Sequence, residues 1–128
     1  MSQPAHRDRL WAVRGAVVAA ANDEASIRAA TTELMSEIME RNEMAADHMV
    51  SVIFTATDDL DAAFPAAAAR DLGLNAVPLL CAREIAVPGS MARVIRVLLH
   101  YYAGAEDPPE HVYLGDAQKL RADLHDAQ

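Results

Sequence analysis

Apolar positions recur along the chain in two rhythms, one of period two and one of period 3.6, and these set out its elements. From Leu10 the run L-W-A-V-R-G-A-V-V-A-A is apolar apart from one charge and predicts a strand, with Gly15 as a bulge or a close backbone approach. After a capping signal at Asn22-Asp23, the positions Ile27, Ala30, Leu34, Met35, Ile38 and Met39 follow helical spacing while Glu33, Glu37 and Glu40 take other faces. That helix ends at Arg41-Asn42. The β-branched run at 48–56 (H-M-V-S-V-I-F-T-A) predicts a second strand leading into the turn at Thr57-Asp58-Asp59. Phe64-Pro65 opens a second helix over 66–72, with Gly73 just past its end. A short buried strand follows at 76–81, where Pro78 suits an edge position or a bulge.

The stretch 91–102 fits two templates. Met91, Val94, Ile95, Leu98, Leu99 and Tyr102 make a helical stripe, whereas Val94, Arg96, Leu98 and His100 share one face of a strand. Its β-branched content and the Pro88-Gly89 turn ahead of it favour the strand. A loop at 103–109, a short strand at 111–114 and a helical turn at 116–120 complete the order. Residues 1–9 and 122–128 are expected to lie loose at the surface. The whole of 1–128 reads as a single small α+β (mixed α/β) domain, one mixed sheet of about five strands flanked by helices.

Composition narrows the functions open to this domain. A net charge of -8 excludes nucleic acid or an anionic membrane surface as the main partner, since both need clustered Lys and Arg. The single cysteine, Cys81, excludes an intramolecular disulfide and fits a reducing, cytoplasmic setting. Arg14 interrupts the apolar segment 13–21, which is too short for a signal sequence, and no window is long enough to span a bilayer. Against this acidic background Arg14, Arg70 and Arg96 stand singly within apolar stretches, as expected for guanidiniums that hold a small anion.

The densest chemistry lies between Cys81 and Arg96, where a thiol, the Glu84 carboxylate and the Arg96 guanidinium are set among apolar residues. An ionised group in such a run is costly to bury unless it is paired or used. Two readings therefore stand: Glu84 and Arg96 pair with each other or sit on a solvated edge, or they act on a ligand. No metal-ligand spacing links His48, His100, His111 and Cys81, and no glycine-rich phosphate loop occurs. Nothing in the sequence sets a histidine beside Cys81 for nucleophilic catalysis, and a lone buried cysteine is most often packing. Tyr113 alone reads as a half-buried strand aromatic and Phe64 as core. Together, the isolated arginines with Glu84 and Tyr113 describe a pocket for a dianionic small molecule.

The runs V-R-G-A (13–16), A-T-D-D-L-D-A-A-F-P-A-A-A-A-R (56–70), V-P-L-L-C-A-R-E (77–84), I-R-V (95–97) and H-V-Y-L (111–114) closely resemble the monofunctional chorismate mutases of the Bacillus type. These are the trimeric α/β class, distinct from the all-helical one. The resemblance implies a homotrimer with a pseudo-α/β-barrel core, three active sites at subunit interfaces, and the Claisen rearrangement of chorismate to prephenate without metal or cofactor. By the same resemblance, Arg96 faces the breaking ether oxygen, and Glu84 and Cys81 contact the ring hydroxyl. Arg14 and Tyr113 hold the side-chain carboxylate. Phe64, Ala66, Arg70 and Leu120 form a wall from the neighbouring subunit, with Leu79 and Leu80 also lining the site and Arg121 in a closing tail. Leu80 and Ala67 stand where the family can carry threonine and lysine, which reduces polar contact at the rim, and 73–76 is one residue shorter. A non-catalytic trimeric module for small carboxylates, or a trimeric fold of the imine deaminase kind, would be the alternatives. The second lacks its glycine-rich local pattern here.

Overall fold

The computed structural model describes residues 8–121, and the remaining expected tail segments lie outside the described residues. Five strands form one mixed sheet: β1 (Asp8–Val18), β2 (Met49–Ala56), β3 (Leu79–Arg83), β4 (Val94–Gly104) and β5 (Val112–Tyr113), in the order β3-β2-β4-β1-β5. β4 is antiparallel to both β1 and β2, while β3 and β5 run parallel to their neighbours. Helices α1 (Glu24–Arg41) and α2 (Pro65–Asp71) pack on one face. Among the described residues, no helix is long and apolar enough to cross a membrane.

The elements form where their local chemistry dictates. Asp23 caps α1, its Oδ1 accepting the Ser26 N–H at 2.7 Å, and Asn22 instead braces the loop ahead of α2 by accepting the N–H groups of Asp61 and Ala62. Pro65 opens α2, where a missing N–H costs nothing. β3 starts three residues later than its apolar run suggests and occupies an edge, leaving Pro78 just outside the strand. The ambiguous stretch is a strand, as its β-branched content implies, but it begins at Val94 because Arg93 turns left-handed at φ 56. β1 reaches back to Asp8, so Asp8 and Arg9 belong to the sheet rather than to a loose end, opposite Gly104 and Ala103.

Alternation divides the sheet into a covered and a bare face. Val13, Val17, Val52, Phe54, Ile95, Val97 and Leu99 point under α1, meeting Ile27, Leu34, Met35 and Ile38 in the main core. Gly15 is on that face and realises the close approach: a Cβ there would sit 2.8 Å from the Val112 carbonyl oxygen and 3.0 Å from Ile38 Cδ1. The opposite face carries Leu10, Arg14, Ile53, Arg96, Leu98, His100 and Tyr102, and among the described residues no helix packs over its centre. Only one end is covered, where Ala16, Val94, Tyr113 and Ala117 form a small second cluster.

Candidate active site

The bare face gathers the sequence-predicted ionic residues by register. Thr55 on β2 stands opposite Arg96 on β4, and Arg96 opposite Ala16 on β1, which in turn pairs with Tyr113 on β5. Arg14 pairs with Leu98, two residues further along β4 and so on the same face as Arg96. Glu84 follows β3 directly, its N–H bound to the Ala56 carbonyl at 3.0 Å, and reaches across β2. Its carboxylate meets Arg96 Nε at 2.9 Å and Thr55 Oγ1 at 2.6 Å, both at Oε2. The two open readings of Glu84 and Arg96 merge here: they pair, and the pair lies on a bare face, partly exposed at Arg96 and mostly covered at Glu84, rather than in the core.

Charge converges on Tyr113. Burial pushes its phenol up from the ordinary 10, while the positive charges of Arg14, Arg96 and Arg121 act in the opposite direction. Leu120 packs against the cluster around Ala16, Val94 and Tyr113. Beside them, His111 Nδ1 accepts the Arg14 backbone N–H at 3.0 Å, which requires an unprotonated nitrogen. Burial first, then Arg14 and Arg121, holds this imidazole below its ordinary 6.5. The folded chain thus binds fewer protons here than the unfolded one, and stability is lost as pH falls below about 6.5. Denaturation midpoints should drop between about pH 7 and 5, with a shallower drop in His111→Gln. An equal slope in the two proteins would contradict this assignment.

The remaining predicted residues lie elsewhere in the chain. Cys81 pairs with Phe54, so its side chain is on the helix-covered face, packed at the edge of the main core. It lines a cavity of about 440 Å³ with Leu60, Phe64, Pro65, Ala82 and Arg83. Phe64 is not core: at 72% exposed it projects from the start of α2. Ala66 is buried beneath α2, and Arg70 is exposed in its last turn. Leu79 is half-buried, and Leu80, opposite Ile53, faces the bare side at 59% exposed. One chain therefore carries two separate groups, Arg14, Glu84, Arg96, Tyr113, Leu120 and Arg121 in one and Phe64, Ala66, Arg70 and Cys81 in the other. Leu120 thus sides with Tyr113 rather than with α2, and Cys81 is separated from Glu84 by the sheet.

Sequence reasoning missed the groups that fix this geometry. Asp59 accepts the Arg93 N–H on both carboxylate oxygens, at 3.2 and 3.0 Å, and Thr57 Oγ1 accepts the Val94 N–H at 3.0 Å. Arg93 Nε donates to the Ala19 carbonyl at 3.0 Å. These bonds clamp the start of β4 two residues before Arg96. Thr55 was visible as one of two polar residues in the alternating set Ser51, Ile53, Thr55, though its partner was not.

A small α+β sheet domain presenting converged arginines, a carboxylate and a phenol on one face defines a binder of small anions. The chain belongs to the type I chorismate mutase family, whose model matches residues 10–124. It is 46% identical over 118 residues to the chorismate mutase AroH of Thermus thermophilus, covering 91% of this chain and 97% of that protein. Identity to the chorismate mutase AroH of Bacillus subtilis is 36% over 114 residues, 88% and 90% of the two chains. A solved chorismate mutase from Clostridium thermocellum superposes with a TM-score of 0.79 at 43% identity, over 86% of this chain and 99% of the other. The activity is thus that of a chorismate mutase, an isomerase of aromatic amino acid biosynthesis, and nothing in these comparisons favours a non-catalytic module.

Proposed function

We propose that this chain converts chorismate to prephenate by restraint and fixed charge, in sites shared between the subunits of a cytoplasmic homotrimer with a pseudo-barrel core. The observation that carries this reading is the Glu84–Arg96 pair held on an uncovered sheet face. The same face leaves Leu10, Leu80, Leu98 and Tyr102 exposed, an apolar surface suited to burial against other copies. Association there would bring the α2 group of one subunit, Phe64, Ala66 and Arg70, to the charged group of the next.

The rearrangement breaks a C–O bond and forms a C–C bond within one molecule, so no nucleophile or proton carrier is needed. The enzyme can hold the enolpyruvyl chain over the ring and stabilise charge as the ether bond lengthens. Arg14 and Tyr113 take the side-chain carboxylate. Arg96 directs its Nε to Glu84, and among the described residues its Nη groups make no hydrogen bond, which suits them to the ether oxygen. Because negative charge grows there only as the bond breaks, this contact favours the transition state over the substrate. Glu84 meets the positive character of the ring.

Cys81 reaches such a ligand through its main chain. The bonds Val52 N–H to Pro78 O and Glu84 N–H to Ala56 O set the phase of the β2–β3 ladder, so the N–H and C=O of Cys81 point to the free edge of the sheet. The thiol itself faces the core. Cys81→Ser is therefore expected to keep kcat within about five-fold of wild type. A folded Cys81→Ser enzyme without measurable prephenate formation would overturn the non-covalent account.

A further inference from the structure

Glu84 directs one oxygen to two donors. Oε2 receives Arg96 Nε at 2.9 Å and Thr55 Oγ1 at 2.6 Å, and among the described residues Oε1 receives none although the side chain is only 17% exposed. Thr55 stands on β2, between β3, which delivers Glu84, and β4, which carries Arg96. We infer that Thr55 is a positioning residue for this pair, anchoring Oε2 so that Oε1 and the Arg96 Nη groups keep a fixed aim at the substrate. The inference rests on the reading of Glu84 and Arg96 as the groups that act on it.

A carboxylate tied only to a guanidinium can rotate about its own torsions and carry its partner with it, because both side chains have several rotatable bonds and Arg96 is 38% exposed. A second donor from a separate strand removes that freedom. Hydrogen bonds to charged groups are the stronger kind, and a constellation of this type depends on orientation held to a fraction of an ångström. A merely structural Thr55 would contribute its β-branched shape to the strand, and valine supplies the same shape and a higher strand preference. The hydroxyl separates the two roles.

The experiment is steady-state chorismate turnover by the full-length chain as wild type, Thr55→Val, Thr55→Ala, Thr55→Ser and Arg96→Ala, with a melting temperature for each. Thr55→Val and Thr55→Ala should each lower kcat by roughly ten- to a hundred-fold while KM stays within about two-fold, the pattern of an interaction expressed in the transition state. Thr55→Ser, which restores the donor, should return kcat to within about three-fold of wild type. Wild-type kcat in either hydroxyl-free variant, or a change confined to KM, overturns the positioning role. If Arg96→Ala also keeps wild-type kcat, the failure lies in the reading of the pair itself; if it collapses while Thr55→Val does not, only the inference about Thr55 fails.

Discussion

Arg96→Ala is expected to lower kcat for chorismate by roughly 10²- to 10³-fold, or about 3 to 4 kcal/mol, with a smaller change in KM. The size follows from what the side chain does. Its guanidinium is held by Glu84 at 2.9 Å, and in the proposed reading it faces the reacting ligand before charge has developed, so that no reorganisation is needed when the ether bond lengthens. The substrate ground state gains less from the same contact, which is why the loss appears in kcat. Arg96→Lys keeps the charge, but its three N–H groups radiate from a single tetrahedral nitrogen, so it cannot donate to Glu84 and at the same time present a planar fork outward from separate nitrogens. It should recover only part of the loss. Steady-state kinetics of the two variants decide the matter, and a lysine enzyme as fast as wild type would remove the geometric role assigned to Arg96.

Mixing subunits should give the second large effect. Arg14 lies with Tyr113 and Arg96 on the bare sheet face, whereas Arg70 projects from the last turn of α2 on the covered side. If one site draws the first from one subunit and the second from its neighbour, homotrimers of Arg14→Ala or of Arg70→Ala carry three damaged sites. Trimers refolded from both variants contain some interfaces where both arginines are intact, and at others both are missing. Activity of the mixture should therefore exceed that of either parent, reaching about a tenth or more of wild type if each parent is reduced a hundred-fold. The readout is turnover by mixed trimers whose composition has been verified by mass spectrometry. Activity no higher than the parents' would show that the arginines act within one subunit or not on the ligand at all.

The sheet was largely legible because strand signals in this chain are local. The β-branched runs around Val13, Val52 and Ile95, and the apolar stripe from Ile27 to Ile38, each specify an element without reference to the rest. Gly15 announced a close approach, and the structure shows why only glycine fits beneath the Val112 carbonyl and against Ile38. The site was legible as a set of residues but not as an arrangement. Which face Cys81 takes depends on where β3 enters the ladder, since a shift of one residue exchanges the faces. The pairing of Phe54 with Cys81 decides it, and that register is set by β2, far away in sequence. Thr55 meets Glu84 across 29 positions, a distance over which no spacing rule operates. Arg93 and Asp59 likewise join the loop after β2 to the start of β4 through a left-handed residue that carries no glycine to mark it.

The most direct test of catalysis by restraint and charge alone is the rate of chorismate conversion in H₂O and in D₂O at matched viscosity, in chelator-treated buffer, with the product identified and the protein mass recorded during turnover. Prephenate as the sole product, equal rates in the two solvents and an unmodified chain are the results this account predicts, because no proton moves and no bond to the protein forms. A rate halved in D₂O, or a mass increment on Cys81 during turnover, would contradict it.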